Sequence, residues 1–235
     1  MTPLTPLPED VAAARAAPGG AEPGGSSPSF DLEIMPGSVE GPLCFADLFG
    51  RTAPVEIEVG IGKGRFVLQE AAARPTSDFL GLEWSLKHLR VAKERARRTG
   101  LTNLRFHRAD ARHVISALVP SGALTRLHVY CPDPWPKKRH HKRRFFTPET
   151  APHLERVLAP GGYLDLSTDV KEYFDEILAV LAAHTGLRAE RDPLFPIEGA
   201  DGKTNYEVKY LKVGRTIHRA SFIRPPAEAS RRSPR

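Results

Sequence analysis

From Val55 onward the chain alternates short apolar, β-branched runs with longer helical patterns, and few architectures accept that rhythm. Successive strands separated by helices need crossovers, and repeated crossovers build a parallel sheet covered by helices on both faces. Val55-Glu-Ile-Glu-Val59 reads as a strand, Gly60 to Gly64 as a turn, and Arg65 to Ala73 as a helix stopped near Pro75. Strand Asp78 to Leu82 precedes a helix from Ser85 to Arg98 closed by Gly100. Strand Asn103 to His107 precedes a helix from Ala111 to Leu118, and Leu124 to Tyr130 is the next strand. Thr147-Pro148-Glu149 has the cap-and-proline signature of a helix running to Leu158. Tyr163 to Ser167 is a further strand and Val170 to Ala183 a further helix. Leu187 to Glu190 and Thr204 to Val213 read as the closing strands, on either side of a polar loop over 192–203. The expected fold is therefore α/β, a mostly parallel seven-stranded sheet with helices on both faces and the last strand antiparallel.

Three of these strands end in a turn bearing a carboxylate: Glu58, Glu83 and Asp110. In doubly wound sheets the carboxyl edge is the ligand crevice. The turn Gly60-Ile-Gly62-Lys-Gly64 resembles a dinucleotide loop, but the spacing G-x-G-x-x-G needs a glycine or alanine where Arg65 stands. Pyrophosphate binding also leaves unexplained an acid, Glu58, just before the loop. A ligand cationic near the glycines explains it. S-Adenosylmethionine carries an α-ammonium and a sulfonium and no phosphate, so close backbone approach at Gly60 and Gly62 beside a carboxylate suits it. Glu83 stands 21 residues beyond Gly62, where an acid accepting ribose hydroxyls is expected. Asp110 suits the adenine amino group, or simply caps a helix.

The stretch Tyr130-Cys-Pro-Asp-Pro-Trp-Pro-Lys-Lys-Arg-His-His-Lys-Arg-Arg144 leaves the strand at 124–130 and therefore enters the same edge. Asp133 is held between two prolines, Trp135 follows, and six Lys or Arg fall within residues 137–144. Fixed prolines and a large aromatic imply a shaped site rather than a floppy tail. The net charge of +6 is concentrated in this run, in residues 84–98 and in residues 224–235, and the rest of the chain is net acidic. Localised positive patches on an acidic body suit a polyanion footprint.

Residues 1–29 hold ten Pro or Gly and no aromatic, too little apolar surface to offset ordering, so this tail is expected to be disordered. Residues 30–224 are expected to form one domain, with Phe30 to Arg51 packing on it as irregular structure over the ligand cleft. Residues 225–235 are expected to be a disordered basic tail. Cys44 and Cys131 are too few for a disulfide scaffold and read as reduced thiols. No long apolar run spans a membrane, no basic start leads into an apolar stretch, and no paired spacing suggests a metal site. The expected location is cytoplasmic. Whether the chain is a monomer or a homodimer is left open by the sequence.

Six strings occur in order: Glu58-Val-Gly-Ile-Gly-Lys-Gly64, Gly81-Leu-Glu83, Asn103 through Asp110-Ala111, Pro132-Asp-Pro-Trp-Pro-Lys137 with its basic run, Thr168-Asp169, and Thr204-Asn-Tyr-Glu207. Together, over roughly residues 53–223, they resemble the bacterial tRNA (guanine-N7)-methyltransferase family. The resemblance implies a Rossmann-like class I methyltransferase fold that takes adenosylmethionine and methylates a tRNA variable-loop guanine, position 46. It further implies that Glu58, Glu83, Asp110 and Asp133 contact the cofactor, with Asp133 also catalytic. Lys137, Asp169, Thr204, Asn205, Tyr206 and Glu207 then contact the substrate, and Arg139, His140, His141, Lys142, Arg143 and Arg144 the RNA. Asn205 and Tyr206 stand where the family usually has Lys and Phe, and Cys131 where it often has Phe. A non-catalytic tRNA-binding module and a nicotinamide oxidoreductase are the competing readings. Intact acids disfavour the first and the loop spacing the second.

Overall fold

The structure, a computed structural model, describes residues 33–34, 41–190 and 204–226. The tail at 1–29, nearly all of the basic tail at 225–235 and the polar loop at 192–203 lie outside the described residues.

The all-buried segment Val55–Val59 forms β2 and Asp78–Leu82 forms β3, as expected of strands covered on both faces. They pair in register, Val55 opposite Asp78 through Val59 opposite Leu82. Leu104–His107 forms β4, Leu124–Tyr130 β5 and Leu158–Thr168 β6. The order across the sheet is β1 (Glu33–Ile34), β4, β3, β2, β5, β6, β8 (His218–Ile223) and β7 (Arg188–Ala189). Strands β1 to β6 run parallel, while β8 (His218–Ile223) lies antiparallel between β6 and the two-residue β7 (Arg188–Ala189). The expected antiparallel last strand is thus present. An eighth strand, β1 (Glu33–Ile34), adds to the β4 edge.

Two expectations are corrected here. Residues 204–213 are not a strand but the helix α7 (Asn205–Lys212), and the final strand starts only at His218. The alternation of Tyr206, Val208 and Tyr210 imitates a strand, yet Thr204 and Glu207 form a reciprocal capping box that starts a helix. The segment expected as irregular cover for the cleft instead supplies β1 and the helix α1 (Phe45–Phe49). It packs through Phe49 beneath the Arg105 guanidinium (5.3 Å) and through the Leu43 amide bonded to the Leu118 carbonyl (2.7 Å).

Helices α2 (Arg65–Ala73) and α3 (Leu86–Thr99) cover one sheet face, where Val67, Ala71, Leu89, Ala92 and Ala96 meet Phe79, Leu104 and Phe106. The short α4 (Ala111–His113), the π-helical turn Val114–Leu118, α5 (Ala151–Val157) and α6 (Lys171–His184) cover the other, over Ile57, Leu80, Leu127, Val129 and Leu164. Ser85 caps α3, its hydroxyl accepting from the His88 amide, and Gly100 closes it at φ 64°. Leu86, the first residue of α3, is exposed.

Under α2 the sheet face is polar. Arg74 donates to Glu56 (2.8 Å) and to Glu70 (2.8 Å), and His128 lies 2.8 Å from both Glu56 and the Tyr130 hydroxyl. Burial alone raises the Glu56 pKa, but hydrogen bonding and charge from His128 and Arg74 outweigh it and hold the group at about 2. Its stabilisation is therefore present above the unfolded value of 4.5 and lost as pH falls toward about 2. Arg74→Ala leaves two buried carboxylates short of their guanidinium and is expected to cost about 3 kcal/mol. Urea unfolding at neutral pH checks this. A loss under about 1 kcal/mol would show the pair to be solvated in practice.

Candidate active site

Parallel strands end on the same edge, so β2 to β6 bring five expected acids into one row: Glu58, Glu83, Asp110, Asp133 and Asp169. Backbone pairing continues past the strand ends. The Gly60 and Ile61 amides donate to the Leu82 carbonyl (2.8 and 3.1 Å), the Glu83 amide to His107 (3.2 Å), and the Cys131 amide to Ser167 (2.8 Å). The turn after β2 needs glycine: Gly60, Gly62 and Gly64 have φ of 73°, 55° and 75°. A Cβ on Gly64 would also lie 2.9 Å from the Ala92 Cβ, so this glycine seats the loop against α3.

The acids differ in state. Glu58 is 2% exposed and accepts a hydrogen bond from the Val67 amide (3.1 Å). Burial pushes its pKa up to about 8, the Val67 amide opposes this, and the neighbouring Glu207, Glu70 and Glu83 add to the rise. Glu83 accepts from the Gly62 amide (2.8 Å) and the Ser85 amide (2.7 Å), tying the glycine loop to the start of α3. Asp110 caps α4 through the Arg112 amide (2.9 Å) and meets the Arg112 guanidinium (3.2 Å). Burial works against the charge of Asp110, and the Arg112 contacts reverse that, lowering its pKa. Asp169 pairs with Arg215, whose guanidinium also lies 4.9 Å from the Tyr210 ring centre. Asp133 is exposed.

Helix α7 reaches over the glycine loop. The Tyr206 ring comes within 3.8 Å of where a Gly62 Cβ would stand. The Asn205 side-chain nitrogen is buried and makes no hydrogen bond among the described residues. Thr204 and Glu207, expected as substrate contacts, spend their polar atoms on holding α7: Thr204 Oγ1 accepts from the Glu207 amide (3.1 Å), and Glu207 accepts from the Thr204 amide (2.9 Å). Glu207 also accepts from the Ser167 hydroxyl (3.0 Å) and Arg219 (3.0 Å). Arg215, Arg219, Ser167 and Arg112 carry no signal in the sequence. The roles of Arg215, Arg219 and Ser167 depend on where α7 and the turn after it lie, and a strand pattern hides both.

The basic run folds as a 3-10 helix, Lys138–Arg143, that exposes Lys137, Lys138, Arg139, Lys142 and Arg143. The Arg143 guanidinium stacks 5.0 Å from the Trp135 ring centre, and His140 meets the same ring edgewise at 5.8 Å. Arg144, expected on RNA, turns inward. It is buried, donates to the Pro134 carbonyl (2.7 Å), pairs with Glu176 and lies 4.7 Å from the Tyr173 ring centre. Those partners satisfy the guanidinium before any phosphate arrives. A groove of about 510 Å³ behind the run is lined by Arg112, His141, Lys142, Thr147, Glu149 and Glu176 among others, and none of the five edge acids lines it. Both cysteines are free, and burial pushes the Cys131 thiol up to about 12. Among the described residues no helix is long and apolar enough to cross a membrane, and no three metal-ligating side chains cluster.

The family model described as "Putative methyltransferase" matches residues 52–220. A protein of Chromohalobacter salexigens named tRNA (guanine-N(7)-)-methyltransferase is 40% identical over 154 residues, which are 66% of this chain and 63% of that one. One of the same name from Bordetella pertussis is 38% identical over 183 residues, 78% of this chain and 72% of that one. For the Alkalilimnicola ehrlichii protein of that name the identity is 37% over 194 residues, 81% and 80% of the two chains. The chain belongs to the tRNA (guanine-N7)-methyltransferase family. Among solved structures, the 16S rRNA methyltransferase KamB superposes with a TM-score of 0.56 at 20% identity, over 77% of this chain and 93% of that one. The [4+2]-cyclase SpnF reaches 0.52 at 16% identity, over 78% and 80%. A cyclase and a methyltransferase sharing one architecture show that the fold alone does not assign chemistry.

The crevice fits adenosylmethionine. A buried carboxylate at Glu58, an acid at Glu83 beside the glycine loop, and an orphaned amide donor at Asn205 offer acceptors for a cation and a donor for a carboxylate. Glu58 must be ionised to pair with a cation, and its ionisation lies near pH 8. By the same sign its contribution to folding is complete below 4.5 and lost as pH rises through about 8. Adenosylmethionine affinity is therefore expected to rise between about pH 6 and pH 8, at most tenfold per unit, with a proton released on binding. Titration calorimetry in two buffers of different ionisation enthalpy reads both quantities. The Glu58→Gln variant is expected to bind weakly with a flat profile, and a flat profile for the parent protein would refute the assignment.

Proposed function

We propose that this chain transfers the methyl group of adenosylmethionine to N7 of a guanine in tRNA, at variable-loop position 46 by family resemblance, directly and without a covalent intermediate. The observation that carries the reading is the loop after β5. One strand delivers an acid, Asp133, to the edge that holds Glu58 and Glu83, and then an exposed cationic helix, Lys138–Arg143. Adenosylmethionine supplies the electrophilic methyl carbon and a sulfur leaving group.

Guanine N7 carries an in-plane lone pair and no proton, so the protein needs no strong base. Placement and charge do the work, and orientation alone can supply roughly 7–11 kcal/mol. Asp133 stabilises the positive charge that develops on the purine. Asp169, once Arg215 yields it, offers an acceptor for the N1–H and amino group of guanine, which adenine cannot match. Lys137, Lys138, Arg139, Lys142 and Arg143 face solvent and suit phosphates. Asn205 and Tyr206, beside Gly62, suit the substrate or the donor.

The test incubates the full chain with unmodified tRNA and labelled adenosylmethionine and maps the product by strand cleavage specific for N7-methylguanine. Label at the variable-loop guanine is the expected result. Retained tRNA binding with no transfer would leave only a binding module. Asp133→Ala is expected to cut transfer about hundredfold or more while tRNA affinity holds. Reversing charge at Lys142 and Arg143 is instead expected to weaken binding and flatten its salt dependence, by about 0.7–0.9 in slope for each phosphate no longer neutralised.

A further inference from the structure

Every Lys or Arg from 137 to 143 is exposed, whereas Arg144 is 6% exposed. Its Nε donates to the carbonyl of Pro134, ten residues back and the immediate neighbour of Asp133 (2.7 Å). Its Nη1 meets Glu176 of α6, and its plane lies over Tyr173 of the same helix at 4.7 Å. One planar side chain thus fastens the Pro134–Trp135 peptide to a packed helix, a geometry Lys cannot copy.

The rest of the loop is bracketed in the same sense. The Cys131 amide is held by the Ser167 carbonyl (2.8 Å), and the Arg144 amide donates to His141 (2.9 Å). Cys131 and Trp135, on either side of Asp133, sit at φ 47° and 44°, a left-handed conformation that non-glycine residues keep only when their surroundings impose it. Asp133 itself is exposed, so its backbone is what fixes the carboxylate. We infer that Arg144 is a positioning residue for Asp133: it locks the Pro134 peptide against α6 and spends its charge on Glu176 rather than on tRNA. The inference rests on the role proposed above for Asp133.

Arg144→Lys and Glu176→Gln test it, with Arg143→Glu as the RNA-facing control. Glu176 is 41% exposed at its side chain, so its substitution leaves the core intact. For Arg144→Lys the single-turnover transfer rate at saturating tRNA is expected to fall about tenfold to hundredfold, the range a small misplacement produces. Glu176→Gln is expected to fall less, and neither variant to change tRNA affinity or its salt slope. For Arg143→Glu weakened tRNA affinity and a reduced salt slope are expected instead. Weakened tRNA binding with a reduced salt slope and an unchanged saturating rate in Arg144→Lys would overturn the inference. A readout independent of transfer is iodide quenching of Trp135 in a Trp84→Phe background. Arg144→Lys is expected to raise it by freeing the loop, and quenching equal to the parent would overturn the clamp. If the parent transfers no methyl group, the proposed function falls, and the quenching result still decides whether Arg144 holds the loop.

Discussion

A parallel sheet buries both its faces, and this one buries charge on half of one face. Side chains of alternate residues on β2, β5, β6 and β8 form cross-strand rows: Glu56, Arg126 and Tyr163; Glu58, His128, Asp165 and Ser221; Tyr130, Ser167 and Arg219. Each charge is met. Arg126 pairs with Asp165 (3.2 Å) and lies over the Tyr163 ring (5.0 Å), and the Ser221 hydroxyl donates to Asp165. Phe66 of α2 seals the rows, edge-on to both His128 and Tyr130 at 4.8 Å. Such a lattice tolerates no register slip, because a shift of one residue would bury each charge against the apolar face.

The lattice ends at the crevice, and there its logic changes. At the lower rows every acid has a base. At the upper end Glu58 has carboxylates for neighbours and one backbone amide, so its charge is costly in the free protein. The fold sustains that cost because the surrounding strands are fixed by the rows beneath. On the proposed function, a cation arriving at the glycine loop would relieve it, and the energy released would become affinity for the donor. Glu207 closes the same corner, tied to Ser167 and Arg219 while its backbone starts α7. The helix over the glycine loop is therefore anchored in the sheet and not merely laid across it.

Much of this is legible in the residues. Alternating strand and helix patterns imply the parallel sheet, and acids at strand ends imply the crevice, since both follow from local periodicity and chain direction. The polar rows are not legible, because Glu56, Arg126 and His128 look like surface residues until strand order makes them neighbours. Thr204 to Val213 passes for a strand because its apolar residues alternate, and the Thr204–Glu207 spacing that starts a helix passes for a ligand motif. Arg144 hides among its basic neighbours for a related reason. Sequence shows a charge but not the direction in which a 3-10 turn leaves it pointing, nor the acid at Glu176 that meets it.

On the proposed function, a protein that handles a cationic donor and a polyanionic substrate at one sheet edge must keep its own acids and bases from neutralising each other. Segregation along β5 and its loop does this. Asp133 lies before Pro134, and the free bases begin at Lys137 on a turn that projects outward. Where the two kinds meet, they are paired: Asp110 with Arg112, Asp169 with Arg215, Glu176 with Arg144. These pairs are not equivalent. Arg112 and Arg215 are partly or largely exposed, so these two pairs are screened by solvent; on the proposed function they would hold Asp110 and Asp169 until a ligand presents donors. Arg144 is buried with three partners, and breaking it open would strand a charge in the interior. The same residue type thus stands as an exposed partner at two acids and as a buried bolt at the third, and burial alone separates the two.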